Sequence, residues 1–254
     1  MIRALIIKLR TSIIVLLTLF LYSAPHNITG QTQLNKATVI IDPADKQKIM
    51  GNTPIAMAWG RQIIPPENYQ RALINLTNAM NTWTEVYTTC YNHLNLASEL
   101  LLEIPFIIIT TGEDFVLTPF ERKRVKEYFE NGGFLFCDNA LATSRKSPAE
   151  KSFRRMIRET LGEEAEIKPL PDEHDIFHCF FDFEDGAPKV FSGRLINSVP
   201  FDGVWYNDRL VAVYSNRGYI KRWNDTKGNI LQLKMGVNMV IFALTREKSI
   251  SKRE

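Results

Sequence analysis

The sequence has few of the features that would place it in a specialised structural class. Its 254 residues include only three cysteines, Cys90, Cys137 and Cys179, which are too few and too far apart for a disulfide scaffold or a zinc ribbon. In an exported protein one pair could form a disulfide, and the sequence does not select the pair. There is no internal repeat and no low-complexity block, and the apolar content of 45% is ordinary for a globular protein. A mainly disordered chain is therefore excluded.

The chain also lacks an excess of charge of one sign once its N-terminus is set aside. Residues 1–30 contain three basic residues, Arg3, Lys8 and Arg10, and no acidic residue, so the rest of the chain carries 28 residues of each sign. A nucleic-acid-binding protein needs a basic excess to gain from phosphate neutralisation. The sequence therefore predicts no nucleic-acid partner.

The N-terminus has the pattern of a secretory signal. The three basic residues precede an apolar run that extends from Thr11 to Ala24 and is shorter than the ~20 residues of a membrane-spanning helix. We expect cleavage near Thr29-Gly30 and export to the bacterial periplasm or cell envelope, with an uncleaved anchor as the alternative. Only in that alternative would the protein contact the membrane.

The stretch from Pro105 to Ala140 has the layout of a β-α-β unit. Two apolar runs, Phe106 to Thr110 and Phe134 to Asp138, flank an amphipathic segment. Thr118-Pro119 predicts the start of a helix and Asn131-Gly132 predicts its end. Because a helix connects the two strands, we expect them to be parallel.

The remaining elements predict a mainly parallel α/β sheet covered by helices. Strands are expected at 38–41, 55–59, 84–88, 165–170, 204–206 and 210–214, and helices at 67–80, 96–102, 148–161 and 228–245. The predicted organisation is a signal peptide at 1–30, an extension at 31–50, a single α/β domain at 51–246 and a charged, frayed tail at 247–254.

Several segments resemble a bacterial family of unknown function, DUF4159. The resemblance rests on IPFIIITTGEDF at 104–115, ENGGFLFCDNA at 130–140, KPLPDEHDIFHCFFDF at 168–183 and LQLKMGVNMVIFAL at 231–244. It implies a relative of the class I glutamine amidotransferase fold, which is a flavodoxin-like three-layer sandwich. Amidotransferases carry a nucleophilic cysteine after a strand and a His-x-Glu pair. Here Cys137 lacks the small-residue turn, and neither His174 nor His178 is followed by x-Glu, so this chemistry is not indicated.

The best candidate site lies at the carboxyl ends of the parallel strands, where ligands bind in open α/β sheets. The polar residues expected there are Arg61, Thr111, Gly112, Glu113, Asp114, Asp138 and Asn139. The alternative is that each side chain caps its own turn. Cys137 is expected to pack in the core.

Three further residues could join this site. The family resemblance makes His174 a candidate general base beside Asp138, and His178 lies four residues later without a third metal ligand nearby. Arg154 could bind an anionic ligand or form an ion pair with Asp138. No metal and no other cofactor is indicated.

The sequence therefore favours an exported, non-catalytic domain that binds a small molecule or an envelope protein. A second hypothesis is a hydrolase or transferase that uses Asp138 and His174. A third is a structural component of a membrane-associated assembly held by the N-terminal segment.

Overall fold

Among the described residues, a central sheet of eight strands organises the fold, and two further strands form a separate antiparallel pair. The structure, a computed structural model, describes residues 37–252 except 43, 46–47, 64, 67–68, 142–146, 193–194 and 198, and these residues belong to one compact unit. The strands are β1 (Thr38–Ile41), β2 (Ile49–Trp59), β3 (Glu85–Asn95), β4 (Phe106–Thr111), β5 (Phe134–Asn139), β6 (Glu166–Pro169), β7 (Val190–Ser192), β8 (Leu195–Asn197), β9 (Asp202–Tyr206) and β10 (Arg209–Ser215). The helices are α1 (Gln70–Trp83), α2 (Pro119–Glu130), α3 (Pro148–Leu161), α4 (Tyr219–Asn224) and α5 (Ile230–Thr245).

The centre of the sheet is parallel. Strands β3, β2, β4, β5 and β10 lie side by side in that order and run in the same direction. Numbered among themselves along the chain, they have the order 2-1-3-4-5, which is the flavodoxin-like order. Strands β9 and β6 extend one side of the sheet antiparallel, and β1 pairs antiparallel with the first half of β2. The predicted mainly parallel α/β fold is confirmed.

Helices cover both faces of the sheet, which gives three layers. Alternate residues of a strand point to opposite faces, so Phe134 and Phe136 of β5 pack with α1, α4 and α5, whereas Leu135 and Cys137 pack with α2 and α3. The central strands β4 and β5 are buried on both faces. This explains why their sequences read as continuous apolar runs.

The β-α-β unit forms as its local sequence predicts. The Thr118 side chain accepts the N–H of Glu121, and the Glu121 carboxylate accepts the N–H of Thr118, so the helix begins with a complete capping box. Pro119 occupies the first turn. Gly132, with φ of +89°, ends the helix in a conformation that favours glycine.

The expectation of a frayed tail after Arg246 is wrong for the described residues 247–252. A short 3-10 helix, Ile250–Lys252, packs on the domain, and Ser249 and Ile250 are buried. The backbone of Lys248 lies directly against Gly132. The Arg246 guanidinium donates hydrogen bonds to the carbonyls of Leu210, Gly132 and Gly133. The described part of the tail therefore packs against the end of the β-α-β unit.

The outer edge of the sheet is formed by β3, which extends to Asn95, beyond the predicted 84–88. Asn81 of α1 pairs its side-chain amide with this edge: its Oδ1 accepts the N–H of Thr88 at 2.7 Å and its Nδ2 donates to the Thr88 carbonyl at 3.2 Å. The hydroxyl of Thr84 accepts the N–H of Val86 in the same way. Side chains thus satisfy backbone groups that would otherwise be open to another strand.

The N-terminal prediction falls outside the described residues. Residues 1–36 are not described, so the structure does not test the signal peptide at 1–30. None of the helices in the described part of the chain is both long and apolar enough to cross a membrane.

Candidate functional site

The polar residues at the strand ends are divided between the two faces of the sheet. In the register of the central strands, Thr110 lies beside Asp138 and Ser215 lies on the other side of Asp138, so these three side chains share the face covered by α1, α4 and α5. Asn139, the next residue, points to the face covered by α2 and α3. The strand ends therefore contain two separate polar regions.

Asp138 is completely buried on the first of these faces. Its Oδ2 accepts the N–H of Ile220 in α4 at 2.9 Å, and its Oδ1 has no hydrogen-bond partner among the described residues. Burial raises the pKa of Asp138 to about 7, although the backbone of Ile220 and the hydroxyl of Ser215 oppose the shift. The carboxyl group anchors α4 to β5.

A cleft of about 380 Å³ opens beside Thr110, the outer residue of this row. Its lining residues come from the segment before α1, the ends of β4 and β5, and α4 and its C-terminus: Pro66, Tyr69, Thr110, Ala140, Leu141, Ile220, Lys221, Asn224 and Asp225. The Thr110 hydroxyl is buried and has no hydrogen-bond partner among the described residues. Buried polar atoms nearly always have a partner, so the unpaired hydroxyl of a residue that lines a cleft is a group that a ligand or water can satisfy after a small local shift.

Two other clefts in the described part of the chain lack this combination. A groove of about 390 Å³ runs between α1 and residues 225–233, and a depression of about 430 Å³ lies at residues 183–189. Neither is lined by a residue of a central strand end. In a flavodoxin-like sheet, ligands bind outside the carboxyl ends of the strands, near the point where the strand order reverses. The Thr110 cleft is thus the best candidate site.

The second polar region is a hydrogen-bonded network beneath α3. Asn139 donates to the Ser147 hydroxyl at 3.0 Å and to Asn216 Oδ1 at 3.1 Å, and Asn216 donates to Glu150 at 3.1 Å. These four side chains are buried and bonded to one another. The network holds the start of α3 on the strand ends.

Arg154 has other partners than the ones expected. It forms ion pairs with Glu150 and Asp202, both buried, and no pair with Asp138. The reason is strand alternation, because Asp138 points to the opposite face of the sheet from α3. Arg154 therefore extends the network beneath α3.

The polar residues at the end of β4 and in the turn after it point to different partners or to solvent. The Thr111 hydroxyl accepts the N–H of Glu113, and Gly112 leaves room for the side chain of Leu141. Glu113 is exposed, and Asp114 accepts hydrogen bonds from Ser152 and from Arg155 of α3. The bond from Ser152 and the positive charge of Arg155 lower the pKa of the Asp114 carboxyl. None of the residues from Thr111 to Asp114 lines the cleft.

Arg61 is likewise outside the cleft. Its side chain is exposed, and its backbone N–H donates to the buried carboxylate of Glu121 at 2.6 Å. The same carboxylate forms the capping box of α2, so Glu121 ties the end of β2 to the start of the next helix. Sequence analysis missed this second role of Glu121.

The two candidate histidines, His174 and His178, lie away from Asp138. The ring centroid of His174 is 5.6 Å from that of Phe242, which is 5.6 Å from that of Phe134, the first residue of β5. Asp138 lies four residues further, which is about 13 Å along a strand. His178 bonds to the Asp172 carbonyl at 3.0 Å, and burial lowers the pKa of His174. The structure does not bring His174 and Asp138 into one site.

Cys137 and the other thiols also lie outside the cleft. Cys137 is buried among the apolar residues beneath α2 and α3, as expected, and burial raises the pKa of its thiol. No disulfide joins the three cysteines to one another. Among the described residues, no group of three or more His, Cys, Asp or Glu side chains is arranged to hold a metal ion.

Sequence analysis missed most of the residues that line the cleft. Tyr69 precedes α1, and Lys221 and Asn224 belong to α4. This helix has six residues and follows the N-cap residue Gly218, which has a φ of +70°. Nothing in the local sequence of α4 marks it as a wall of a site. Thr110 carried a signal, because it is a polar residue near the end of an otherwise apolar strand.

The chain was compared with known proteins. Solved structures similar to it include one described as a ThuA-like protein from Bacteroides uniformis, which is 14% identical, has a TM-score of 0.41, and is aligned over 74% of this chain and 91% of that one. No curated protein matches the chain. Residues 65–244, more than half of the sequence, match the family described as a domain of unknown function, DUF4159. The resemblance seen in the sequence is confirmed, and the chain belongs to the DUF4159 family.

Proposed function

We propose that this protein is a non-catalytic binding domain that holds a small ligand in the cleft at the ends of β4 and β5. The observation that carries the proposal is the position of this cleft at the strand ends, next to Thr110, whose buried hydroxyl has no hydrogen-bond partner among the described residues. A volume of about 380 Å³ lies within the range of small-molecule sites, and the lining combines apolar side chains with a few polar groups, as such sites do.

The chemistry around the cleft supports binding more than catalysis. Asp138 has one oxygen bonded to the Ile220 N–H and is completely buried, so a substrate cannot reach it without movement of α4. The Cys137 thiol faces the opposite layer of the core. His174 packs near the other end of the sheet. A nucleophile and a base within hydrogen-bond reach of each other, which acyl transfer requires, are not found at the cleft among the described residues.

Ligand-observed NMR with the full chain tests the proposal. A chemically diverse library of small polar molecules should contain binders, and Ala140→Phe, which fills the cleft, should abolish their signals. Thr110→Val should weaken the binders that use the hydroxyl. Thr160→Val is the matched control, because the Thr160 hydroxyl is also buried with no hydrogen-bond partner among the described residues but lies on α3. Binders that are insensitive to Ala140→Phe would place the site elsewhere and contradict the proposal.

A hydrolase screen tests the non-catalytic part. The full chain should show no hydrolysis of ester, amide or glycoside substrates. Hydrolysis that is lost in Asp138→Asn while the variant remains folded would contradict a non-catalytic role.

We also propose that the protein is exported to the periplasm or cell envelope. The support is the sequence pattern of residues 1–30, in which basic residues precede a short apolar run. Intact mass and N-terminal sequencing of the protein from cell fractions should show a chain that begins near residue 30. A full-length chain in the membrane fraction would favour the uncleaved anchor.

A further inference from the structure

The polar groups of the cleft are mainly hydrogen-bond donors. Lys221 is exposed and makes no ion pair with any described residue. The Tyr69 hydroxyl has no hydrogen-bond partner in the described part of the chain, and burial raises its pKa, so it stays protonated. Asn224 uses its Oδ1 to accept the N–H of Arg71, which leaves the amide N–H groups for a ligand.

The negative groups near the cleft are compensated. The Asp225 carboxylate lies 3.0 Å from the Arg222 guanidinium. Asp138 is behind Thr110, and because burial raises its pKa to about 7, it is mainly neutral at pH 6. The uncompensated charge on the cleft wall is therefore that of Lys221.

The rest of the wall is apolar. Leu141, Ile220, Ala140 and Pro66 line it, and 60% of the Leu141 surface is exposed to solvent. A ligand that buries this surface gains free energy in proportion to the apolar area removed from water. An inorganic anion would leave this part of the cleft unused.

We infer that the ligand is a small organic acid, whose carboxylate accepts hydrogen bonds from Lys221, Tyr69 and Asn224 and whose apolar body lies on Leu141 and Ile220. This inference rests on the proposed function and names the ligand class of the same cleft. A carboxylate accepts several N–H and O–H groups at once, and bonds between charged partners are about twice as strong as neutral ones. The neutral amide of the same acid has the same shape and loses the charge.

Matched pairs of small carboxylic acids and their primary amides test the inference, with the full chain at pH 6. The acids should bind at least tenfold more tightly than the amides by NMR titration or calorimetry, and their affinity should fall with added salt. Lys221→Met should remove this preference, and Lys221→Glu should reverse it. Lys227→Met is the matched control, since Lys227 is an exposed lysine of the following turn that does not line the cleft.

The outcomes separate the inference from the proposed function. An acid preference that is unchanged in Lys221→Met overturns the inference. Acids and amides that bind equally well, and are both displaced by Ala140→Phe, overturn the inference and leave the proposed function standing. Binding that Ala140→Phe does not affect overturns both.

Discussion

The buried carboxyl of Asp138 should make the stability of the protein depend on pH, and Asp138→Asn should remove that dependence. In the unfolded chain the carboxyl has a pKa of 3.8, and burial raises it to about 7 in the fold. The folded state therefore holds this proton more tightly than the unfolded state. The contribution of this group to the free energy of unfolding is greatest below about pH 4. It falls as the pH rises from about 4 to about 7 and is constant above that.

The size of the effect follows from the shift. Each unit of pKa corresponds to about 1.4 kcal/mol, so a rise of about three units amounts to about 4 kcal/mol. About 3 kcal/mol of it falls between pH 4.5 and pH 7.5. An asparagine at position 138 keeps an oxygen to accept the Ile220 N–H but has no proton to lose. Between pH 4.5 and pH 7.5, the free energy of unfolding of Asp138→Asn should therefore rise by about 3 kcal/mol relative to that of the natural protein.

Urea unfolding of both proteins at several pH values measures this difference. Other groups with shifted pKa values, such as Asp114 and His174, titrate in both proteins and cancel in the comparison. Asp208→Asn is the control, because Asp208 is an exposed turn residue at a φ of +58°, which asparagine tolerates. Its curve should run parallel to that of the natural protein. Parallel curves for Asp138→Asn as well would refute the argument that burial dominates at this site.

Two further predictions concern the fold. Asn81→Ala removes the amide that covers the backbone of Thr88 on the sheet edge, so self-association at high protein concentration should increase. Analytical ultracentrifugation measures this association. Asn78→Ala, an exposed change on the same helix, should leave it unchanged. Equal association of the two variants would contradict this role. The Arg246 guanidinium donates hydrogen bonds to three carbonyls, and Arg246→Lys loses most of them. This variant should lower the free energy of unfolding by about 3 kcal/mol. Arg158→Lys, at an exposed position, should have little effect. A small loss in Arg246→Lys would show that lysine satisfies the same carbonyls.

The elements that the sequence predicted well are those determined by local chemistry. The capping box at Thr118 and the stop at Gly132 involve residues within a few positions of one another, so they are visible in the sequence. The turn at Asn207-Asp208 is similar, since both residues adopt positive φ and their types allow it. The signals at Thr118 and Gly132 predicted the β-α-β unit without knowledge of any tertiary contact.

The predicted site failed to assemble where its residues depended on distant packing. The proximity of His174 to Phe242 and Phe134 results from the docking of a loop on α5, and no spacing in the sequence encodes it. The position of α4 is also a tertiary property, because this short helix is held by the carboxyl of Asp138 and by burial of Trp223. Without α4 the cleft has no second wall.

The positions of Asp138 and Asn139 could have been assigned to opposite faces of the sheet from the sequence alone. Neighbouring residues of a strand point to opposite faces of a sheet, so two adjacent polar residues at a strand end cannot belong to one pocket on one face. The alternation assigns Asp138 to the side of Thr110 and Asn139 to the side of α3, where its bonds to Ser147 and Asn216 leave no role for it in the cleft. The same rule places Thr110 and Ser215 on the face of Asp138, one on each side of the buried carboxyl. The polar row that underlies the cleft could thus be derived from strand periodicity, whereas its opening to solvent depends on how α4 and the segment before α1 pack over it.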